Sequence, residues 1–331
     1  MLLQTADPLS RFRDRLRLPL IAAPMFLISG VELVAAACAN GVIGAFPTVN
    51  CRSGEQLDQW LTEIEQRLRG KNAAPICPNL IVHRSNARLR EDLGVLLRHK
   101  PEIVITSVGS PAPVMKPLHE VGALVLADVA TIRHAERAVE AGADGLVLLT
   151  AGAGGQTGWL NPFAFVRAVR KFFKGPIVLA GGVSDGQALR AAEVLGCDLA
   201  YMGTKFIATR ESMADERHKA MLVASSADDI LLTTAFTGLQ TNMLRPSIVA
   251  AGLDPDDLPA RGAIDIGKDI DVAAREARPK RWRDIWSAGH STSGVTDVPS
   301  VAELVARTIE EYRGDHIRSS ADTPAQARPS I

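Results

Sequence analysis

The sequence predicts a closed (β/α)8 barrel with a smaller, mainly helical cap inserted after the eighth strand. Three observations carry that expectation. Eight short apolar runs recur along the first two-thirds of the chain. A helical pattern with its own start and stop signals follows nearly every run. The alternation then breaks off after the eighth run and gives way to a stretch without a clear strand.

The runs are PLIAAP (19–24), VIGAF (42–46), PICPNL (75–80), IVITS (103–107), ALVLA (123–127), GLVLLT (145–150), PIVLA (176–180) and LAYM (199–202). Each is nearly continuous in apolar residues instead of alternating. A parallel strand buried on both faces has this composition. The intervening segments carry caps. Asn40-Gly41 closes the first helix, Ser53 opens the second, and Thr131 opens one that stops at Gly142. Ser184-Asp185 opens another that stops at Gly196. Strand–helix alternation repeated eight times favours a barrel. An open doubly wound sheet is the alternative, and no GxGxxG follows the first strand to support it.

The expected domains are a barrel over 1–211, a helical cap over 212–284 and a return to the barrel over 285–313. The polar tail, 314–331, reads as disordered. Within the cap, DERHKAMLVAS and RPSIVAAGL read as helices separated by turns such as DPDDLPARGAIDIG. VAELVARTIEEYR (301–313) reads as an amphipathic helix on the barrel wall.

Bulk composition narrows the function classes. The chain has 331 residues, 47% of them hydrophobic, enough for a large core. Lys+Arg and Asp+Glu are both 37. That balance offers no electrostatic footprint for nucleic acid or an anionic membrane. No uncharged apolar stretch reaches the ~18 residues of a membrane span. The N-terminus carries acids and no apolar core of a secretion signal. A cytoplasmic protein is the expectation, and a homodimer only by general frequency. The four cysteines, Cys38, Cys51, Cys77 and Cys197, show neither metal-ligand spacing nor a disulfide framework. No metal is expected.

In a barrel, chemistry sits at the C-terminal ends of the strands. After the seventh run comes Ala180-Gly181-Gly182-Val183-Ser184-Asp185, and after the eighth Gly203-Thr204. Glycines in these two loops let backbone N–H groups approach phosphate oxygens, with a helix N-terminus adding a favourable dipole. Ordinary tight turns are the alternative. After the sixth run, Thr150 to Gly158 hold four glycines in nine residues. They suggest backbone pressed on a flat ligand at Gly155, with Gln156 projecting into the site; a flexible surface loop is the bland reading.

His83 follows the third run, as an active-site acid or as a loop anchor. His290 sits where the chain returns to the barrel and carries the same two readings. His119 and His218 read as helical surface. Asp128 ends the fifth strand, where it binds ligand hydroxyls or caps the next helix. Arg210-Glu211 reads as structural.

Together these segments resemble the nitronate monooxygenase family, once called 2-nitropropane dioxygenases, from about Leu18 to about Leu304. YMGTKFIATRES (201–212), the AGGxxG core at 153–158, VLAGGVSDG (178–186) and DIWSAGH (284–290) carry the resemblance. GADG at 142–145 and PNL at 78–80 also fit. The resemblance implies FMN held without a covalent bond in a TIM barrel. It places Ala23, Pro24 and Met25 against the flavin ring and Asn79 at the ring or ribityl chain. It puts Gly181, Gly182, Gly203 and Thr204 at the phosphate, with Ser287 and Gly289 closing over the ring edge.

Two departures stand out. Family members have a histidine where this chain has Gln156, and glutamine donates a hydrogen bond but shuttles no proton. Some members place a lysine where this chain has Asp128. The leading expectation is oxidation of an alkyl nitronate by O2, with His83 or His290 nearby as cation or acid. The alternatives are an NAD(P)H-dependent FMN reductase acting on quinones or enoyl thioesters, and a flavin-binding protein with little turnover.

Overall fold

A computed structural model describes residues 8–258 and 284–314. All eight apolar runs form strands. In chain order they are β1 (Leu20–Ala22), β2 (Ile43–Pro47), β3 (Ile76–Ile81), β4 (Ile103–Ser107), β5 (Leu124–Val129) and β6 (Gly145–Leu149). A two-residue strand follows, β7 (Gly155–Gln156), and then β8 (Ile177–Ala180) and β9 (Leu199–Met202). Leaving out β7, they close a parallel barrel in sequence order. Closure is made where Leu20 pairs with Ala200 and Ile21 with Tyr201.

Two-sided burial explains the unbroken apolar runs. In β6, Val147 joins the barrel interior while Leu146 and Leu148 face the helices. In β9, Leu199 and Tyr201 point in and Ala200 and Met202 point out. A turn of 3-10 helix, Ser10–Arg15, plugs the N-terminal end. Phe12 is fully buried among interior residues, and Arg11 donates to the carbonyl of Gly122 at 2.9 Å.

The predicted caps are formed. Ser53, Thr131 and Asp185 each accept from a backbone N–H in the first turn they open. Gly41, Gly142 and Gly196 take the left-handed backbone that ends a helix. Helix Val301–Arg313 opens on a capping box at Ser300 and Glu303, and packs on Gly186–Leu195 and Val31–Ala39. Arg210 pairs with Glu303, and Glu211 accepts from the Val301 N–H, so both serve this helix. All four cysteines are buried and free.

The segment after β9 departs from expectation. It contains two of the expected helices, Glu216–Val223 and Arg245–Ala250, but also β10 (Ile230–Thr233) and β11 (Thr241–Leu244). These pair antiparallel, and β11 also pairs with β7, giving a three-stranded sheet in the order β10-β11-β7. Residues of mixed polarity hid β11. Thr241 and Asn242 are nevertheless buried, because Thr241 bonds the hydroxyl of Thr237 and Asn242 Nδ2 donates to the carbonyl of Ala153 at 2.8 Å. A buried polar side chain that finds its partner costs little. Residues 259–283, most of the expected DPDDLPARGAIDIG turns, and the tail from 315 lie outside the described residues. Among the described residues no helix is long and apolar enough to cross a membrane.

Candidate active site

The C-terminal mouth of the barrel holds a cavity roofed by the segment after β9 and by the returning chain. Ala23, Pro24 and Met25 line it from the end of β1. Asn79, Asp128 and Tyr201 line it from β3, β5 and β9. Ala180, Gly181, Gly182, Gly203 and Thr204 form one end. Gly155, Gln156 and Ser287 line it from the loop after β6 and the returning chain, together with His218 and Trp286.

At the glycine end, Gly181 has φ +127° and Gly182 has φ +76°. A Cβ on Gly181 would lie 2.5 Å from Thr150 Oγ1, so this glycine is required by packing. Gly182 differs, because nothing lies within 4 Å of the place its Cβ would occupy. It turns bare backbone towards open space. The helix that follows contributes less than expected. Two of its first-turn N–H groups are already taken, by Asp185 accepting from Ala188 and Glu311 accepting from Gly186. An anion here is met chiefly by turn backbone.

Three unsatisfied polar atoms lie along the barrel floor. Asn79 Oδ1 accepts from Ser107 at 3.2 Å, which leaves Nδ2 without a partner. Asp128 Oδ1 and Tyr201 Oη are likewise buried and unpartnered. Burial pushes the Asp128 carboxyl up to about 8. Burial, and then Asp128 and Cys77, push the Tyr201 phenol well above its ordinary range. Both are therefore largely neutral at pH 7 and able to donate. Of the two roles open to Asp128, capping falls away, since Thr131 caps the next helix itself. Buried polar atoms without partners are uncommon in folded proteins. Their grouping beneath one cavity, with glycine backbone at one end, fits a flat heteroaromatic ring that carries hydrogen-bonding edges and a phosphate.

The wall that carries Gln156 is a joint between barrel and cap. Gln156 pairs with Thr241, and the Thr157 N–H donates to the Gln240 carbonyl at 3.0 Å. The loop is thus pinned and not a flexible surface loop. Three of its four glycines answer to packing. A Cβ on Gly158 would meet the Leu149 carbonyl at 2.4 Å, one on Gly154 the Gly289 nitrogen at 2.8 Å, and one on Gly152 the His290 ring at 2.9 Å. Only Gly155 faces free space, with Ser287 Oγ as its nearest neighbour at 3.9 Å.

Three expected residues fall outside the cavity lining. His83 turns its Nδ1 to Ser85 Oγ at 2.7 Å, the behaviour of a loop anchor. His290 is exposed, and its ring covers Gly152 from outside. Gly289 is buried; its N–H donates to Thr204 Oγ1 at 3.0 Å, so it joins the two ends of the site as packing. Conversely, His218, expected on a helix surface, belongs to the site. It is 2% exposed, borders the cavity and stacks on Trp286 at 4.9 Å between centroids. Burial pushes its pKa down to about 4. Tyr201 also lines the cavity, although nothing in the apolar run LAYM marks it as more than core.

A family model described as nitronate monooxygenase matches residues 66–311. This chain belongs to that family. It is 29% identical to the nitronate monooxygenase of Paraburkholderia phytofirmans, over 89% of this chain and 92% of the relative. It is 28% identical to that of Pseudomonas aeruginosa, over 89% and 96%. Its fold matches a crystal structure of nitroalkane oxidase from Streptomyces ansochromogenes, with TM-score 0.77 and 24% identity over 92% of this chain and all of that one. As a member of the nitronate monooxygenase family the protein is an oxidoreductase. A flavin is the cofactor that membership implies.

Proposed function

We propose that this protein binds FMN across the barrel mouth and oxidises alkyl nitronates, with O2 as the final electron acceptor. The observation that carries the reading is the pairing of open Gly182 backbone at one end of the cavity with the unpartnered Asn79, Asp128 and Tyr201 atoms along its floor. Gly181, Gly182, Gly203 and Thr204 would hold the phosphate. Ala23, Pro24 and Met25 would lie against the ring, and Asn79 at its polar edge. When bound, the flavin supplies a two-electron acceptor that O2 can reoxidise.

A nitronate is already deprotonated at its α-carbon, so the protein needs no strong base to begin. Its part is to place that carbon and balance charge. The Gln156 amide can donate to the nitro oxygens from a backbone held by Thr241. Asp128 and Tyr201, neutral at pH 7, can donate from below without adding negative charge.

Anaerobic mixing tests the reading. Propyl-2-nitronate alone is expected to bleach the yellow protein, and the cofactor released by heat is expected to have the mass of FMN. Fast bleaching by NADH or NADPH, with none by the nitronate, would overturn the reading in favour of a reductase. No bleaching by either would leave a flavin carrier.

A further inference from the structure

Among the described residues that border the cavity, the ionisable side chains are Asp128, Tyr201 and His218, and no lysine or arginine is present. His218 stands on the wall built by helix Glu216–Val223, apart from the two acids on the barrel strands. Its ring lies flat on Trp286, the two planes 10° apart. The Ser287 backbone beside the ring favours its protonated form. Nε2 is buried and has no hydrogen-bond partner. With its one proton on Nδ1, the neutral ring would present a lone pair at Nε2. That nitrogen would then be a buried acceptor open to a proton.

An anionic ligand has no proton to offer. Brought beside a lone pair it is repelled, and the conflict is relieved if the imidazole gains a proton. We infer that His218 takes up one proton when an anionic substrate enters the cavity, and so serves as the cation of the substrate wall. This inference rests on the nitronate reading for its substrate class.

The other charges around the ring do not supply that cation. On its own helix Asp215 is paired with Arg217, and Glu216 with Lys219. The Arg217 guanidinium lies over the Trp286 ring, 5.8 Å from its centroid. Asp284 adds negative charge beside Arg217. Across the cavity, Asp128 and Tyr201 can contribute only neutral or negative forms.

Proton uptake has a definite signature. Between the pKa of free His218 and its value in the complex, the dissociation constant of an anion rises about tenfold per pH unit. Nitrite, a small planar anion that donates no electrons to flavin under these conditions, is the probe, read by the perturbation of flavin absorbance. The window is pH 5 to 7, below the ionisation of Asp128. In the wild type we expect the tenfold-per-unit slope over at least one unit, and net uptake approaching one proton per bound nitrite in weakly buffered solution at pH 6. H218F keeps the stacked ring but loses both nitrogens; its affinity at pH 5 should fall at least tenfold and lose the slope. H218Q restores a donor without a titration, so it should bind with no slope.

A flat wild-type profile, absent proton uptake, no nitrite binding, or a wild-type slope in either variant would each overturn the inference. The wild-type measurements stand even if H218F fails to retain flavin. Failure of nitronate to bleach the wild type would sink the proposed reaction, whereas the nitrite result judges His218 on its own.

Discussion

Gly154 and Gly289 meet backbone to backbone. A Cβ on Gly154 would lie 2.8 Å from the Gly289 nitrogen, and one on Gly289 would lie 2.7 Å from the Gly154 nitrogen. The contact presses the loop that presents Gln156 onto the returning chain, and Gly289 passes the connection to Thr204. Gly289 has φ −103° and ψ 177°, which any residue can adopt. Its requirement is purely steric. Gly289→Ala is therefore expected to destabilise the fold by about 1–3 kcal/mol, the usual cost of overpacking. Flavin affinity should fall with it, because both ends of the site are displaced. An unchanged melting temperature and flavin content would show that the contact gives way freely.

Gly182 tests the cofactor's phosphate end. Its φ of +76° penalises any side chain, but asparagine and aspartate tolerate that region better than most. Gly182→Asp places a carboxylate beside the expected phosphate, while Gly182→Asn makes a nearly equal shape without charge. We expect the aspartate variant to be purified almost free of flavin and the asparagine variant to retain a substantial fraction. Equal retention by the two would mean that no phosphate lies there.

Gln156 tests the substrate end. Its backbone is held by Thr241, so a new side chain should leave the loop in place. Gln156→His introduces the imidazole that the family resemblance assigns to this position. The rate constant for anaerobic bleaching by propyl-2-nitronate is expected to rise severalfold, while Gln156→Ala should lower it. Rates that do not move in either variant would place substrate contact elsewhere on the wall.

Asp128 makes flavin-free protein sensitive to alkali. Its carboxyl is raised in the folded state to about 8, against an ordinary value of 3.8. Between these values the folded chain holds a proton that the unfolded chain has lost. Its stabilising contribution is whole below about 4 and disappears as pH rises through about 8, at up to about 1.4 kcal/mol per pH unit. Asp128→Asn should flatten this part of the stability profile and raise the melting temperature at pH 8. Urea unfolding of flavin-free protein at pH 5 and pH 8 measures it. Equal pH dependence in wild type and variant would refute the assignment.

The barrel was legible because each strand is buried on two sides, which leaves unbroken apolar runs from PLIAAP to LAYM. Helix ends were legible because Ser53, Thr131, Asp185 and Gly196 act within their own turns. The glycines after β6 were legible as a special loop, but only Gly155 is open to a ligand; the others answer to distant backbone that local sequence does not reveal. His218 and β11 share that difficulty. The burial of His218 is owed to Trp286, and β11 pairs with two residues in a loop between barrel strands. Tyr201 was hidden for the opposite reason, since a lone phenol within an apolar strand reads as core until its hydroxyl is found without a partner.

The sheet β10-β11-β7 has a consequence for how members of this family can be recombined. Residues 155–156 come from the barrel's own connection between β6 and β8, yet they are the edge of a sheet that belongs to the roof. A chimaera that exchanges only the segment after β9 would inherit a foreign edge strand opposite Gly155 and Gln156. The inherited unit is discontinuous: the loop near 151–158, the strands at 230–244 and the stretch at 285–289 must travel together, while the eight barrel strands can stay behind as a chassis.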